Sequence, residues 1–313
     1  MTAVKTIRPA PSVPGAGRPA RARQPRPLWL LAPGVTLMAI VIGIPFGVAV
    51  VISLLDLDQY TFREWLSAPF IGLGNYIEAA QRSALPHAVW VSVSSAVLAT
   101  VVAVPLGVLG ALTTQDRFPG RGLVRSLYLI PYVLPAFVVG TVWRVILQPD
   151  GVANHWLGTD GALWLNGPRS YWALIVVQVW TAWPLIYLLA LAGLQSIDPE
   201  LHEAAALDGA GRGAKLRYVI LPMLRGPISL AAIITVLHVV NAFTLPFVMF
   251  GVPSPRDVEV LPVLTYVESF QNFRFGLSAA MAVASLVLIL IPLLVYLRAV
   301  RLDTGADDEG RKG

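Results

Sequence analysis

Two groups of residues carry the chemistry open to this chain. The first lies in Asp198 to Pro222, the one polar, charge-bearing interval long enough to interrupt the apolar second half. There Glu203 and Asp208 offer charge-assisted hydrogen bonds, and Ala204, Ala205 and Ala206 give a thin face for close approach by a partner. The second group is Gln178, Thr181, His238, Asn241 and Thr244, with Trp180 and Trp183 beside them, all inside long apolar runs. Polar groups at membrane depth are costly and need a partner or a cavity. Amides and hydroxyls next to indole rings suit a sugar, because the polar groups meet its hydroxyls and the rings stack on its C–H face. The same groups serve equally as hydrogen bonds between helices, and both readings stand at this level. His238 has no carboxylate neighbour with which to relay a proton.

Local signals predict how the first group is held. Asp198 can cap a helix, Pro199 fits its first turn, Glu200 and Glu203 complement its positive end, and Gly209 supplies a left-handed stop after Asp208. This predicts a helix of about ten residues. Gly209, Gly211 and Gly213 then bend the backbone, and Ala214 to Ile220 form a second short helix that Pro222 ends. The glycines together with Lys215 are not a phosphate-binding loop, since the chain has no Gly-Lys pair and no strand precedes them.

The remaining elements follow from hydropathy. At 56% hydrophobic and 13% charged residues the chain is far more apolar than a soluble domain, whose charged share is about 25%. Apolar runs near 28–55, 88–114, 123–148, 171–197, 224–251 and 275–300 each exceed the ~20 residues that cross a bilayer core. The expectation is therefore an all-α, polytopic membrane protein with six transmembrane helices. Prolines at 45, 105, 131, 135, 184, 246 and 292 predict kinked spans. Residues 1–27 hold six Lys and Arg but no acid, and read as a disordered basic tail; 28–300 form the membrane domain and 301–313 a second tail.

Orientation comes from the cations. With the N-terminus inside, the outer segments hold Arg63, Arg82, Arg144, Arg169, Arg256 and Arg274, so of 23 Lys and Arg six lie outside and 17 inside. The positive-inside rule then puts both termini and the 198–222 loop in the cytoplasm. The net charge of +5 reads as topology and lipid-headgroup contact, not nucleic-acid binding.

Glu203-Ala204-Ala205, two residues, Asp208-Gly209-Ala210, then Leu216 and Val219-Ile220-Leu221-Pro222 resemble the EAA loop of permease subunits in bacterial ATP-binding-cassette importers. Leu216 stands where that family usually has Phe, and Val219 where it usually has Ile. Phe70-Ile71-Gly72-Leu73-Gly74-Asn75-Tyr76 looks like the F-x-G-L-x-N-Y signature of its carbohydrate-uptake branch, first-partner type. Leu129 to Leu147 with Gly151 and Asn154, and Leu191 to Ala205, are also similar to that branch, whose members carry maltose-like sugars, trehalose or glycerol 3-phosphate. The resemblance implies a cytoplasmic coupling helix docked on an ATPase. It further implies a second homologous permease, two ATPase subunits that bind the ATP and Mg, an extracytoplasmic solute-binding protein, and a sugar substrate at the inner (plasma) membrane.

No cofactor, metal site or catalytic residue is expected on this chain itself. Its Cys count is 0, which removes thiolate ligands and nucleophiles, and no Ser/His/Asp, H-E-x-x-H or paired-carboxylate arrangement is present. The alternative class is an ion-coupled secondary transporter without ATPase partners, but no Asp or Glu lies in the interior of any span.

Overall fold

The computed structural model describes residues 31–82, 84–159 and 161–310. The expected tail at 1–27, with Arg311 and Lys312, lies outside the described residues. Within them the regular secondary structure is helical, apart from one isolated antiparallel bridge between Leu55 and Phe70. It divides into two compact units, Met1–Pro45 and Phe46–Gly313. In the first, Ala32–Met38 passes into a π-turn at Ala39–Gly43 without burying a side chain. These residues belong to helix α1 (Ala32–Ile52), which is long and apolar enough to cross a membrane.

The second unit continues with α2 (Gly74–Arg82), α3 (Leu85–Thr114), α4 (Arg121–Val133), α5 (Ala136–Ile146), α6 (Val152–Leu157) and α7 (Pro168–Gln195). Then come α8 (Pro199–Leu207), α9 (Arg212–Val240), α10 (Thr244–Phe250), α11 (Leu261–Phe270) and α12 (Phe275–Gly310). Five helices, α1, α3, α7, α9 and α12, are each long and apolar enough to cross a bilayer, and the bent pair α4–α5 brings the number to six if it counts as one span. Proline in the first turn of α3, α7, α8 and α11 fits there because that position needs no intrahelical N–H.

The centre of the unit is α3 against α7. The buried face of α3 is almost wholly small: Ala88, Ser92, Ala96, Ala99, Ala103, Gly107 and Ala111 recur every three or four residues. Large apolar side chains such as Trp90, Val97, Val101 and Leu109 point away from the bundle. Between equally apolar surroundings the gain comes from close packing of backbones, which small residues permit. Gly107 shows how close: a Cβ there would stand 2.7 Å from Ile186 Cγ2 and 2.8 Å from the Tyr187 nitrogen. Helix α9 packs on both, with Leu224 and Pro227 against Gly193 of α7.

Three expectations change. The run 123–148 is not one kinked helix, because α4 and α5 meet at 95°. Proline disfavours the helical conformation of the residue before it; Leu134, before Pro135, is extended at φ −69°, ψ 135°, so the helix stops there. The run 224–251 is also broken: α9 ends at Val240, and α10 starts afresh at Thr244. Nor does Pro222 end a short helix. The Leu221 N–H donates to the Leu216 carbonyl, five residues back, through a π-turn at Leu216–Ile220, so one helix runs from Arg212 to Val240 with Pro222 in the first turn of its regular part.

Candidate functional site

The Asp198–Pro222 loop is built by its caps. Asp198 is extended, and its carboxylate accepts the Glu200 N–H at 3.0 Å. At the other end Gly209 takes φ +76°, its N–H donates to Ala206 O at 3.1 Å, and the Ala210 N–H donates to Ala205 O at 2.9 Å. This pair of bonds is the Schellman arrangement, so Ala205, Gly209 and Ala210 set the shape of the turn. None of the described side chains of α8 is buried; Glu203, Ala204 and Asp208 are exposed, and Leu207 is 90% exposed. Leu216, half-buried, packs against the cluster that includes Leu194, Ile197, Ile220 and Leu224, which ties the loop to the α7–α9 core. Leu221 is exposed and Pro222 half-buried on the same segment. The result is a short helix with fixed ends, an acidic and alanine-rich surface, and no intramolecular partner for that surface among the described side chains.

The six polar candidates fall into two sets. Those on α7 point into the bundle. Gln178 is 1% exposed with neither amide atom hydrogen-bonded, and Thr181 donates to the carbonyls of Val177 and Gln178. Trp183 packs edge-on against Tyr128 at 5.0 Å, and the neighbouring Trp180 against Trp143 at 5.8 Å. His238, Asn241 and Thr244 are all exposed, although the helix break prevents them from forming one continuous helical stripe. The structure thus leaves the second set open and gives the first set's rings protein partners.

Asn241 also lines a cavity of about 690 Å³; the other five candidates are not among its lining residues. Its other walls come from α1, α12 and α11, and α11 is a segment that hydropathy passes over, since it has only 10 residues and lies between two spans. Phe243, Tyr266 and Phe270 form a run of rings 5.4 Å and 5.0 Å apart, with Thr265 and Ser269 on the same helix α11 as the last two. The signal available in the sequence was hydroxyl and aromatic residues at 265, 266, 269 and 270, which share one side of a helix.

Two asparagines in the segments between spans prove architectural. Asn75 is buried and donates to the carbonyls of Ser53 and Leu55 at 3.0 and 2.8 Å, while Tyr76 hydroxyl pairs with Ser53 Oγ at 2.7 Å. Asn154, 1% exposed, donates to the carbonyls of Gln148, Pro149 and Ala162 and accepts from Thr159 Oγ1 and Trp164 Nε1. Gly151 turns the chain where a Cβ would meet Ile146 O at 2.5 Å. Glu259, half-buried in the segment before α11, has its carboxyl pushed above the ordinary range by burial.

Residues 103–301 match the family described as the inner membrane component of binding-protein-dependent transport systems. The chain belongs to that family. Members are permease subunits, multi-pass membrane proteins of ABC transporters, and this permease is 34% identical over 82% of its length to 83% of a probable ABC transporter permease protein of Sinorhizobium fredii. It is 28% identical over 74% of its length to 80% of a trehalose/maltose transport system permease protein of Thermococcus litoralis. It is 30% identical to a trehalose transport system permease protein of Mycobacterium tuberculosis, covering 81% of each chain. A chain of the bacterial alginate ABC transporter, solved with an alginate pentasaccharide-bound periplasmic protein, superposes with a TM-score of 0.73 at 21% identity, covering 88% of this permease and 96% of that chain. Its likeness supports the fold.

Proposed function

We propose that this permease forms half of the membrane pathway of an ATP-driven importer for a sugar or sugar-like solute, and that α8 is the element through which ATPase subunits act on it. The observation that carries this reading is α8 itself: capped at both ends, anchored by Leu216 to the α7–α9 core, and exposed along an acidic, alanine-rich surface. A force applied to such a helix moves α7 and α9 together, because the loop joins their ends. Glu203, Ala204, Ala205, Asp208, Gly209, Ala210, Leu216, Leu221 and Pro222 make up the docking loop in this reading.

The partners are a second homologous permease, two ATPase subunits that hold ATP and Mg, and an extracytoplasmic solute-binding protein. The sugar class follows relatives named for trehalose and maltose. Both termini and the α8 loop lie on the cytoplasmic side, as the 17-to-6 distribution of the 23 Lys and Arg favours. Asn241, with His238 and Thr244 near it, faces the pathway, whereas Gln178, Thr181 and Trp183 shape it from behind. The test is uptake into vesicles holding this permease with its partners: sugar accumulates only when ATP and the binding protein are both present. Uptake that needs an ion gradient and no ATPase would overturn the reading.

A further inference from the structure

A second cavity, of about 560 Å³, is walled by the end of α2, the start of α3 and the segment before α11, with Gln81, His87, Ser254, Arg256 and Glu259 as its polar lining residues. We infer that it holds the headgroup of a membrane phospholipid bearing a primary amine, with the phosphate at Arg256 and the ammonium at Glu259. This does not depend on the importer reading above. The cavity stands at headgroup level: α3 has 30 residues, which at 1.5 Å each make about 45 Å, the thickness of a bilayer with its headgroups. Pro86, an exposed lining residue in the first turn of α3, begins a stripe that continues through Trp90, Val97 and Val101 at steps of four and seven residues, which is one side of a helix. These three side chains are 68%, 46% and 62% exposed, and Trp is the residue enriched where acyl chains meet water. An acyl chain laid along this stripe therefore ends with its headgroup in the cavity.

The charges in the cavity choose the headgroup. Arg256 and Glu259 flank the short turn Arg256–Val258, and His87 Nε2 donates to the Arg256 carbonyl at 2.9 Å, which holds that turn on α3. Among the described residues neither the Arg256 guanidinium nor the Glu259 carboxylate is hydrogen-bonded or ion-paired, with each other or with another side chain. Two opposite charges offered separately to one cavity fit a ligand that carries both. A guanidinium matches the geometry of a phosphate, and a primary ammonium brings three N–H donors to a carboxylate. Burial pushes the Glu259 carboxyl upward, and an ammonium beside it favours the ionised form. A choline headgroup has no N–H to donate, and a glycerol headgroup brings no cation and leaves Glu259 facing a phosphate alone. The selected class is phosphatidylethanolamine-like.

The experiment equilibrates the permease, purified with its partner subunits, in an equimolar mixture of phosphatidylethanolamine, phosphatidylcholine and phosphatidylglycerol, and counts the lipids retained by native mass spectrometry. The wild-type protein should retain the ethanolamine lipid about ten-fold over the other two, the worth of one charge-assisted hydrogen bond. Glu259→Gln should bring its retention down to that of the choline lipid, and Arg256→Gln should lower both. The acyl-free headgroup, sn-glycero-3-phosphoethanolamine, should not displace the lipid. Equal retention of the three lipids by the wild-type protein would overturn the inference without recourse to any variant. So would an undiminished preference in Glu259→Gln, or displacement by the acyl-free headgroup at the lipid's own concentration, which would make the cavity a site for a soluble ligand. Loss of the partner permease from Arg256→Gln would make it a seam between proteins and overturn it as well. ATP-driven sugar uptake tests the importer reading separately, and each of these outcomes leaves that reading intact.

Discussion

The Ala210 N–H donates to the Ala205 carbonyl at 2.9 Å, across the left-handed turn that Gly209 makes possible at φ +76°. Two alanines that look like plain spacing in the chain are thereby the two ends of one turn. The turn fixes where α8 stops and so where its exposed acidic surface points.

Gly209→Pro should abolish uptake while leaving membrane insertion intact, because proline cannot adopt positive φ and has no N–H to give Ala206. Gly209→Asn should keep most activity, since Asn tolerates the left-handed region. Uptake rate set against membrane-inserted protein amount checks both. An inactive Gly209→Asn with an active Gly209→Pro would contradict the turn as the cause.

Asn154 ties its loop together: its amide NH2, whose two hydrogens are shared among them, faces the carbonyls of Gln148, Pro149 and Ala162, and its Oδ1 accepts from Thr159 and Trp164. Asn154→Ala should lower thermal stability, with a loss of about 1–3 kcal/mol for unsatisfied buried groups. Asn154→Asp should be worse, because it turns a carboxylate oxygen toward the carbonyls of Gln148, Pro149 and Ala162. Thermal unfolding of the purified permease decides the order; equal stability in all three proteins would contradict the structure of this loop.

How much of this was readable beforehand depended on how local each signal was. The caps at Asp198 and Gly209 are set by neighbours a few residues away, and the sequence reading placed both. The bend between α4 and α5 was not readable, because Pro105, Pro131 and Pro184 stay inside helices while Pro135 starts a new one. Nothing local distinguishes them; the packing of α5 on α10, with Gly140 against Val248, supports the broken form. The bundle faces were hidden for another reason. On α3 the buried face is made mostly of Ala, Gly, Ser and Thr and the outer one of larger apolar side chains, so the core face is not the more apolar one and hydropathy does not mark it. The cavity was missed because α11, at 10 residues, is too short to register as a span.

Glu259 gives a pH dependence with a definite sign. Burial is the main cause of its raised pKa and Glu268 adds to it, while His87 and Arg256 oppose. A carboxyl raised in the folded state contributes stability below its unfolded pKa and loses that contribution as pH rises through the folded value. The segment before α11 should therefore be more protected from hydrogen exchange at acidic than at neutral pH. Glu259→Gln should remove this difference and match the acidic value throughout. A wild-type segment that becomes better protected as pH rises would reverse the sign and contradict the account.

Topology is testable because the chain has no native Cys. Asn75 is unsuitable as a labelling position, being buried and bonded to Ser53 and Leu55. Tyr60 and Leu207, 82% and 90% exposed, are suitable. Cys at Tyr60 should react with an impermeant thiol reagent on intact cells, and Cys at Leu207 only after permeabilisation. The reverse pattern would overturn the orientation.

The most direct test of the central claim is co-purification of the ATPase subunit with the Glu203→Lys permease. Glu203 is exposed on α8 and absent from the buried clusters of the chain, so reversing its charge changes the surface without disturbing the fold. If α8 is the docking element, the ATPase should be lost from the purified complex and ATP-driven uptake abolished, while membrane insertion and the partner permease remain. A Glu203→Lys permease that retains the ATPase at the wild-type ratio and transports at the wild-type rate would contradict the account.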